Sequence, residues 1–230
     1  MNKRDLRRHF FLLITIAVFA AAGAVKTHAQ EIVDKTVAVV SDGAHTGLIT
    51  YSDLLWQLAL QPNTPIDPPR SEDLNQALQT LINQRIFGLE ADRLPRNPPT
   101  EKEIADEIAS TLAFFPSTAV FESRLKQVGF ESVKDDGFQR LISRRLAIKK
   151  YVDFRFSSFV VITADDETKY FRDVYTPEFR RRNPGLLLPT YEEKKTEVHD
   201  LLTRQKVASA IETFLDDAKR RVEIEILIEV

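Results

Sequence analysis

Residues 32–54 read IVDKTVAVVSDGAHTGLITYSDL. Two short runs rich in β-branched residues flank a polar turn that contains glycine, a pattern that predicts a β-hairpin with strands near 37–40 and 47–50. Ser52 follows as the expected N-cap of a helix that runs through Leu60. The stretch therefore predicts a strand, a turn, a second strand and a capped helix.

The other end of the chain carries a second strand signal. Residues 222–228 read VEIEILI, an alternation of apolar and charged residues with the period of a β-strand. A single terminal strand needs a partner, and the only other predicted strands lie in the N-terminal hairpin. The two chain ends are therefore expected to pair in one small antiparallel sheet.

The residues between these ends carry helical spacing and capping signals. Ser71 is the expected cap of a helix that runs to about Leu94, and Thr100 with Glu103 forms a capping box for the next helix. Further helices are expected over residues 117–128, 132–156, 163–182 and 190–221. The sequence thus predicts a mainly α, multi-helix domain with a small sheet.

Residues 1–29 have the features of an export signal. A basic n-region precedes an almost unbroken apolar run over 10–25, and Thr27 and Ala29 supply the small residues that a signal peptidase reads. Cleavage after Ala29 would leave residues 30–230 as a periplasmic domain. The alternative is an uncleaved membrane anchor, because the apolar run is close to the lower limit for a spanning helix.

Composition excludes several classes of function. Residues 1–29 hold five basic residues and one acid, so the 32 basic and 34 acidic side chains become 27 and 33 after cleavage, a net charge of −6. A nucleic-acid binder would instead need a basic surface. The chain has no cysteine, which excludes disulfides, thiol redox chemistry and thiolate metal sites.

No catalytic, cofactor or metal site is predicted. After cleavage only His45 and His199 remain, without metal-ligand spacing, and both are expected to be surface histidines. A Gly-x-Ser-x-Gly elbow is missing. The paired acids at 135–136 and 165–167 are interpreted as helix-opening residues.

A basic stripe lies on the helix predicted over 132–156. It could bind anionic lipid or an acidic partner, but a solvated helix face or internal salt bridges are the default interpretation. The stripe comprises Arg140, Arg144, Arg145, Lys149 and Lys150.

Aromatic residues cluster in the central third of the chain. Most of them should lie in the core, because phenylalanine is usually buried. Adjacent pairs such as Phe114 and Phe115 cannot both face one core, so exposed members would form an apolar patch suited to unfolded or peptide-like partners. The candidate binding residues are Trp56, Phe114, Phe115, Phe121, Phe154, Phe156 and Phe159.

The order of these elements resembles the SurA-type periplasmic chaperones and related exported foldases. Residues 32–54 are similar to the family's opening, and residues 81–94 and 100–104 resemble its next two helical motifs. Residues 121–141 resemble its helical hairpin, and residues 161–170 resemble the segment that hands the chain onward. The resemblance covers about residues 32–171 and implies a SurA N-terminal-like chaperone domain.

The chain departs from this family at one place. A parvulin prolyl-isomerase domain of roughly 90–100 residues, the size of one small domain, follows that last segment in the family. Here 18 residues, 172–189, separate it from a helix and strand that resemble the family's closing element. Eighteen residues are too few for such a domain. The chaperone part is therefore expected without the enzyme.

Three hypotheses follow. The leading one is an ATP-independent periplasmic chaperone that holds unfolded or extended envelope and outer-membrane proteins, without nucleic acid, cofactor or stable membrane insertion. The second is a divergent peptidyl-prolyl cis-trans isomerase with catalytic residues that the sequence does not identify. The third is a structural adaptor subunit of an envelope complex.

Overall fold

Three strands from the two chain ends form the sheet. A computed structural model describes residues 34–93 and 98–230, so the predicted signal peptide at 1–29 lies outside the described residues. The strands are β1 (Thr36–Ser41), β2 (Thr46–Thr50) and β3 (Glu223–Ile226). Their order is β2-β1-β3 and both pairings are antiparallel. The predicted hairpin and the predicted pairing of the chain ends are confirmed.

The central strand is fully covered. Val37, Ala38 and Val40 of β1 are at most 1% exposed, and a bulge near Thr36 and Ala38 allows neighbouring residues to face the core. On β3, Ile224 packs against this core while Glu223 and Glu225 are exposed, as the alternating pattern predicts. Ile226, which the pattern places on the same face as Ile224, is nevertheless 52% exposed. The terminal strand therefore closes the edge of β1.

Helices fill the chain between the strands, in the predicted order. Two start signals differ from expectation: Thr50, not Ser52, caps the first helix through a capping box with Asp53, and Arg70 occupies the N-cap position before Ser71 without a side-chain cap bond. The helices are α1 (Tyr51–Ala59), α2 (Ser71–Ala91), α3 (Glu101–Leu112), α4 (Thr118–Gln127), α5 (Asp136–Val152), α6 (Ala164–Tyr170), α7 (Thr176–Arg182) and α8 (Tyr191–Lys219).

Two helices continue into π-helical turns. Asp153–Ser157 extends α5, and Phe171–Tyr175 joins α6 to α7. The helix predicted to begin at Ser132 begins instead at Asp136, because the Asp135 carboxylate accepts from the backbone amides of Gly137 and Phe138 and so caps it. π-Helical turns are rare and often lie at functional sites.

Two apolar clusters hold the domain together. The first joins the sheet to α1 and α2, with Ala218 of α8 added at its edge. The second lies between α3, α4 and α5 and is built around Phe121 and Phe138, both 0% exposed. Val128 packs against both clusters, and Trp56, which packs against the second, donates from its indole nitrogen to the carbonyl of Val128 at 3.0 Å.

Candidate functional site

The seven predicted binding residues separate into core and surface positions. Phe115, Phe121 and Phe156 are no more than 8% exposed, so they are core residues and not part of a binding surface in this structure. Trp56 is half-buried. Phe114, Phe154 and Phe159 are 73%, 57% and 67% exposed. The candidate surface is therefore reduced to three phenylalanines.

Ring packing explains why the first set is buried. The Phe121 ring centroid lies 4.6 Å from that of Phe115 and 5.8 Å from that of Phe138. Phe156 points inward from its π-helical turn, and its ring lies 5.4 Å from Phe214 of α8 and 6.2 Å from Phe87 of α2. Aromatic pairs at such distances stabilise a core beyond their buried area.

The exposed set is gathered mainly beside that same π-helical turn. The rings of Phe154 and Phe159 meet edge to face with their centroids 5.8 Å apart. Val161 follows them at 75% exposure. We call Phe154, Phe159 and Val161 the aromatic surface. Val161 was missed because residues 159–162 have the composition of a strand, whereas the structure places Phe159 in a turn and 160–162 in a connection without strand pairing.

The aromatic surface is held in place by α8. The Lys206 ammonium group donates to the carbonyl of Val161 at 3.3 Å and to the Asp166 carboxylate at 2.9 Å. This ion pair, together with the Thr163 capping bonds, lowers the pKa of Asp166 to about 2. Phe156 anchors the other end of the segment in the core. The exposed rings therefore sit on a supported segment.

Phe114 lies apart from the aromatic surface. Helices α3 and α5 run antiparallel. Lys150, near the end of α5, pairs with Glu103, near the start of α3, whereas Phe138, near the start of α5, belongs to the apolar cluster at the end of α3. Phe114 follows the end of α3, beside the start of α5, whereas Phe154 follows the end of α5. The 17 residues of α5 span about 25 Å at 1.5 Å per residue. The exposed phenylalanines thus form two sites.

The basic stripe on α5 is mostly occupied by internal partners. Lys149 pairs with Glu107 at 2.9 Å, and Lys150 pairs with Glu103 at 2.7 Å. An Arg145 guanidinium nitrogen lies 2.5 Å from the side-chain oxygen of Gln57, and burial lowers the pKa of Arg145. The structure therefore favours the interpretation of internal salt bridges over that of a lipid-binding face.

A polar cluster between α6 and α8 was not expected. Glu167 is only 6% exposed, its Oε2 accepts from the Tyr191 hydroxyl at 2.5 Å, and its Oε1 lies 2.6 Å from Nδ1 of His199. These bonds lower the pKa of Glu167, and the bond to Glu167 raises the pKa of Tyr191 to about 12. Both histidines lie at the surface, as the sequence predicts: the His199 side chain is 49% exposed although it also contacts a buried acid, and His45 lies beside Asp42.

The described residues form two concave sites of different size. A cavity of about 30 Å³ lies between α1, α2 and α5, beside Gln57 and Arg145. An open depression of about 540 Å³ lies beside Gly129 and Phe130. Within residues 34–93 and 98–230, no group of three His, Asp or Glu side chains is placed to hold a metal ion, and no helix is long and apolar enough to cross a membrane.

The chain was also compared with known proteins. No protein-family model and no curated protein matches it. The aromatic surface is the candidate site that the geometry favours, because it combines exposed rings with a fixed backbone.

Proposed function

We propose that this chain is an exported, ATP-independent chaperone that holds extended segments of unfolded envelope proteins, without prolyl-isomerase catalysis. The observation that carries the proposal is the aromatic surface. Phe154, Phe159 and Val161 are all more than half exposed, although Phe121, Phe138 and Phe156 of the same region are buried. Exposed apolar groups that are clustered are typical of interaction sites.

The physical properties of this surface suit weak binding to many different polypeptides. Covering one large apolar side chain contributes about 1.5–3 kcal/mol at most, so two rings and a valine support transient binding. The rings offer faces and edges to aromatic or aliphatic side chains without requiring a particular sequence. Unfolded outer-membrane proteins expose such side chains, whereas folded proteins bury most of theirs.

The connection at 172–189 supports the non-catalytic part of the proposal. The family that the sequence resembles carries its isomerase domain at this place. In this chain the same residues complete a π-helical turn, form α7 and make the loop before α8. The helix and strand that follow, α8 and β3, pack back on the N-terminal elements. This closure directly after an 18-residue connection supports the proposal of a chaperone without its enzyme domain.

An aggregation assay tests the proposal. An outer-membrane protein is diluted from urea, and light scattering is measured with increasing amounts of the chain. We expect suppression without ATP. Replacing both rings, Phe154→Ser with Phe159→Ser, should raise the amount required for half suppression by about tenfold or more, since each tenfold corresponds to 1.4 kcal/mol.

Phe114→Ser is the matched control for residue type and exposure. Phe114 lies at the other end of α5, and no aromatic ring of residues 34–93 or 98–230 pairs with it, so its replacement should change suppression by less than about twofold. Absence of suppression at every ratio of chain to client would contradict the chaperone proposal.

The two other hypotheses give different results. A divergent isomerase would accelerate the proline-limited phase of refolding in a model substrate, which lasts tens to hundreds of seconds when uncatalysed. An adaptor subunit would co-purify with one stoichiometric partner and would not suppress aggregation. The chaperone proposal predicts an unchanged slow phase and a mixture of clients.

A further inference from the structure

A second exposed apolar feature lies in the loop between α7 and α8, after the aromatic surface in sequence. Leu186 and Leu187 are 67% and 94% exposed, and they follow the turn made by Asn183, Pro184 and Gly185. Gly185 adopts a φ of +89°, which a residue with a side chain rarely adopts, and so directs the chain through a tight turn. Two adjacent leucines with most of their surface in water offer an apolar area to a partner.

This loop stands on a packed base. The rings of Phe171 and Tyr175 stack with their centroids 5.4 Å apart, and Phe179 stacks on Tyr175 at 6.1 Å. Tyr175 is 8% exposed. At the end of α7 the Asn183 amide groups, in the backbone and in the side chain, both donate to the carbonyl of Phe179. The two leucines are therefore presented by a supported turn.

Basic side chains precede the leucines by a few residues. Arg180, Arg181 and Arg182 end α7 directly before the turn, and the side chains of Arg181 and Arg182 are 73% and 70% exposed. Both of these arginines share one acid, Glu178, at 4.0 and 3.0 Å. Among the described residues, no carboxylate lies within ion-pairing distance of Arg180. Residues 176–195 hold five basic side chains, the three arginines with Lys194 and Lys195, and three acids, Glu178, Glu192 and Glu193, so this segment has a net charge of +2, although the chain as a whole is acidic.

We propose that Arg180, Arg181, Arg182, Leu186 and Leu187, the arginine-leucine tip, bind the surface of an anionic lipid bilayer. Leucines that project beyond a basic rim can enter the boundary between headgroups and acyl chains. The arginines then lie at the level of the lipid phosphates, with which guanidinium groups form paired hydrogen bonds. Each half of the tip thus matches one layer of the membrane surface.

The shape and charge of the tip favour a bilayer over a polypeptide. At 94% exposure Leu187 is almost uncovered by its own chain, whereas a peptide site needs a groove that encloses a side chain. The excess of positive charge also matches an extended anionic surface. The aromatic surface differs in both respects. Its rings contact each other, and the ion pair between Lys206 and Asp166 beside Val161 carries one charge of each sign.

The absence of cysteine from the sequence allows a direct test in the full chain. Leu187→Cys is labelled with an environment-sensitive fluorophore, and its emission is recorded with vesicles of phosphatidylcholine alone or with added phosphatidylglycerol. We expect a blue shift with the anionic vesicles only, weakened by 0.5 M salt because screening shortens the range of charge interactions. The same label at Leu48→Cys, an exposed leucine on β2, should show no shift.

Removing the charges tests the other half of the tip. In the labelled chain, Arg180→Gln with Arg181→Gln and Arg182→Gln should weaken the response by tenfold or more, since each basic residue near such a surface contributes roughly fivefold. The matched control replaces Arg140, Arg144 and Arg204, which are also exposed, and should change it less than twofold. Circular dichroism confirms that each variant is folded.

Several results would overturn the assignment. They are no shift at position 187 with anionic vesicles, an equal shift with neutral vesicles, or an unchanged response after the arginines are removed. A shift that needs an unfolded protein instead of vesicles would assign the tip to polypeptide binding. The chaperone proposal is independent of these results, because it rests on Phe154 and Phe159 and on an assay without lipid.

Discussion

Arg124 closes the end of the first helix. Its guanidinium group donates to the carbonyls of Leu58, Ala59, Gln61 and Thr64 at 2.8–3.2 Å. The last carbonyls of a helix have no partner within the helix, so an arginine from α4 supplies the missing donors. Partial burial without a facing carboxylate lowers the pKa of Arg124. One side chain thus joins α4 to the proline-rich connection after α1.

Replacing Arg124 should strongly destabilise the domain. We expect Arg124→Met, which keeps the apolar stem, to lower the free energy of unfolding by about 2–4 kcal/mol, because hydrogen bonds from a charged group contribute about 1.5–3 kcal/mol each and are not fully additive. Urea denaturation measures the change. Arg140→Met, an exposed control, should change it by less than about 0.5 kcal/mol. Equal stability of the two variants would contradict the proposed role of the Arg124 hydrogen bonds.

Glu167 links stability to pH. Its pKa in the folded protein is lowered, first by the Tyr191 hydroxyl and then by His199. An acid with a lowered folded pKa stabilises the fold above its unfolded pKa, and this contribution is lost as the pH falls through the folded pKa. The unfolded pKa of glutamate is about 4.3. The α6 to α8 contact should therefore weaken in acid.

Glu167→Gln isolates this contribution. The wild-type chain should be more stable than the variant near pH 7, and the difference in unfolding free energy should shrink as the pH falls from about 5 towards 3. Urea denaturation at a series of pH values gives the comparison. Glu212→Gln, an exposed change in the middle of α8, should give a curve parallel to the wild type. A Glu167→Gln curve that is also parallel would show that Glu167 makes no such contribution.

At the scale of elements, β3 is the part that closes the core. Its four residues pair with Ala38, Val39, Val40 and Ser41 of β1. Truncation after Val222 should lower the free energy of unfolding by about 3–5 kcal/mol, since several backbone hydrogen bonds at about 1 kcal/mol each are lost along with the cover of β1. Urea denaturation and light scattering measure the loss. Glu225→Gln should have little effect, and a truncated chain of normal stability would contradict this role.

The elements also show which features the sequence predicts. The Thr100 capping box was confirmed, and the alternation at 222–228 correctly predicted a terminal strand, because each signal depends on residues that are local in sequence. The strand is shorter than the alternating stretch, since it spans 223–226, and Ile226 is 52% exposed. The cap of α1 was misplaced by two residues, since Thr50, Ser52 and Asp53 are all acceptable caps and only the sheet decides between them. The π-helical turn after α5 has no sequence signal of its own, although it decides which way Phe154 and Phe156 point.

At the scale of the molecule, the sequence predicted the fold better than the site. Pairing of the chain ends follows from two strand signals and the need for a partner. Which phenylalanines remain exposed depends on how α3, α4, α5 and α8 pack, and residues far apart in sequence decide that. Composition therefore identified the aromatic region, whereas the selection of Phe154 and Phe159 required the structure.

Crosslinking from position 159 tests the proposed chaperone function most directly. A photoreactive benzoyl-phenylalanine replaces Phe159 in one chain and Leu48 in a second, and each chain is irradiated with an outer-membrane protein diluted from urea. If the aromatic surface holds unfolded clients, position 159 should crosslink the client, crosslinking should fall as the client folds into a bilayer, and position 48 should give no crosslink. Equal crosslinking from both positions, or none from position 159, would contradict it.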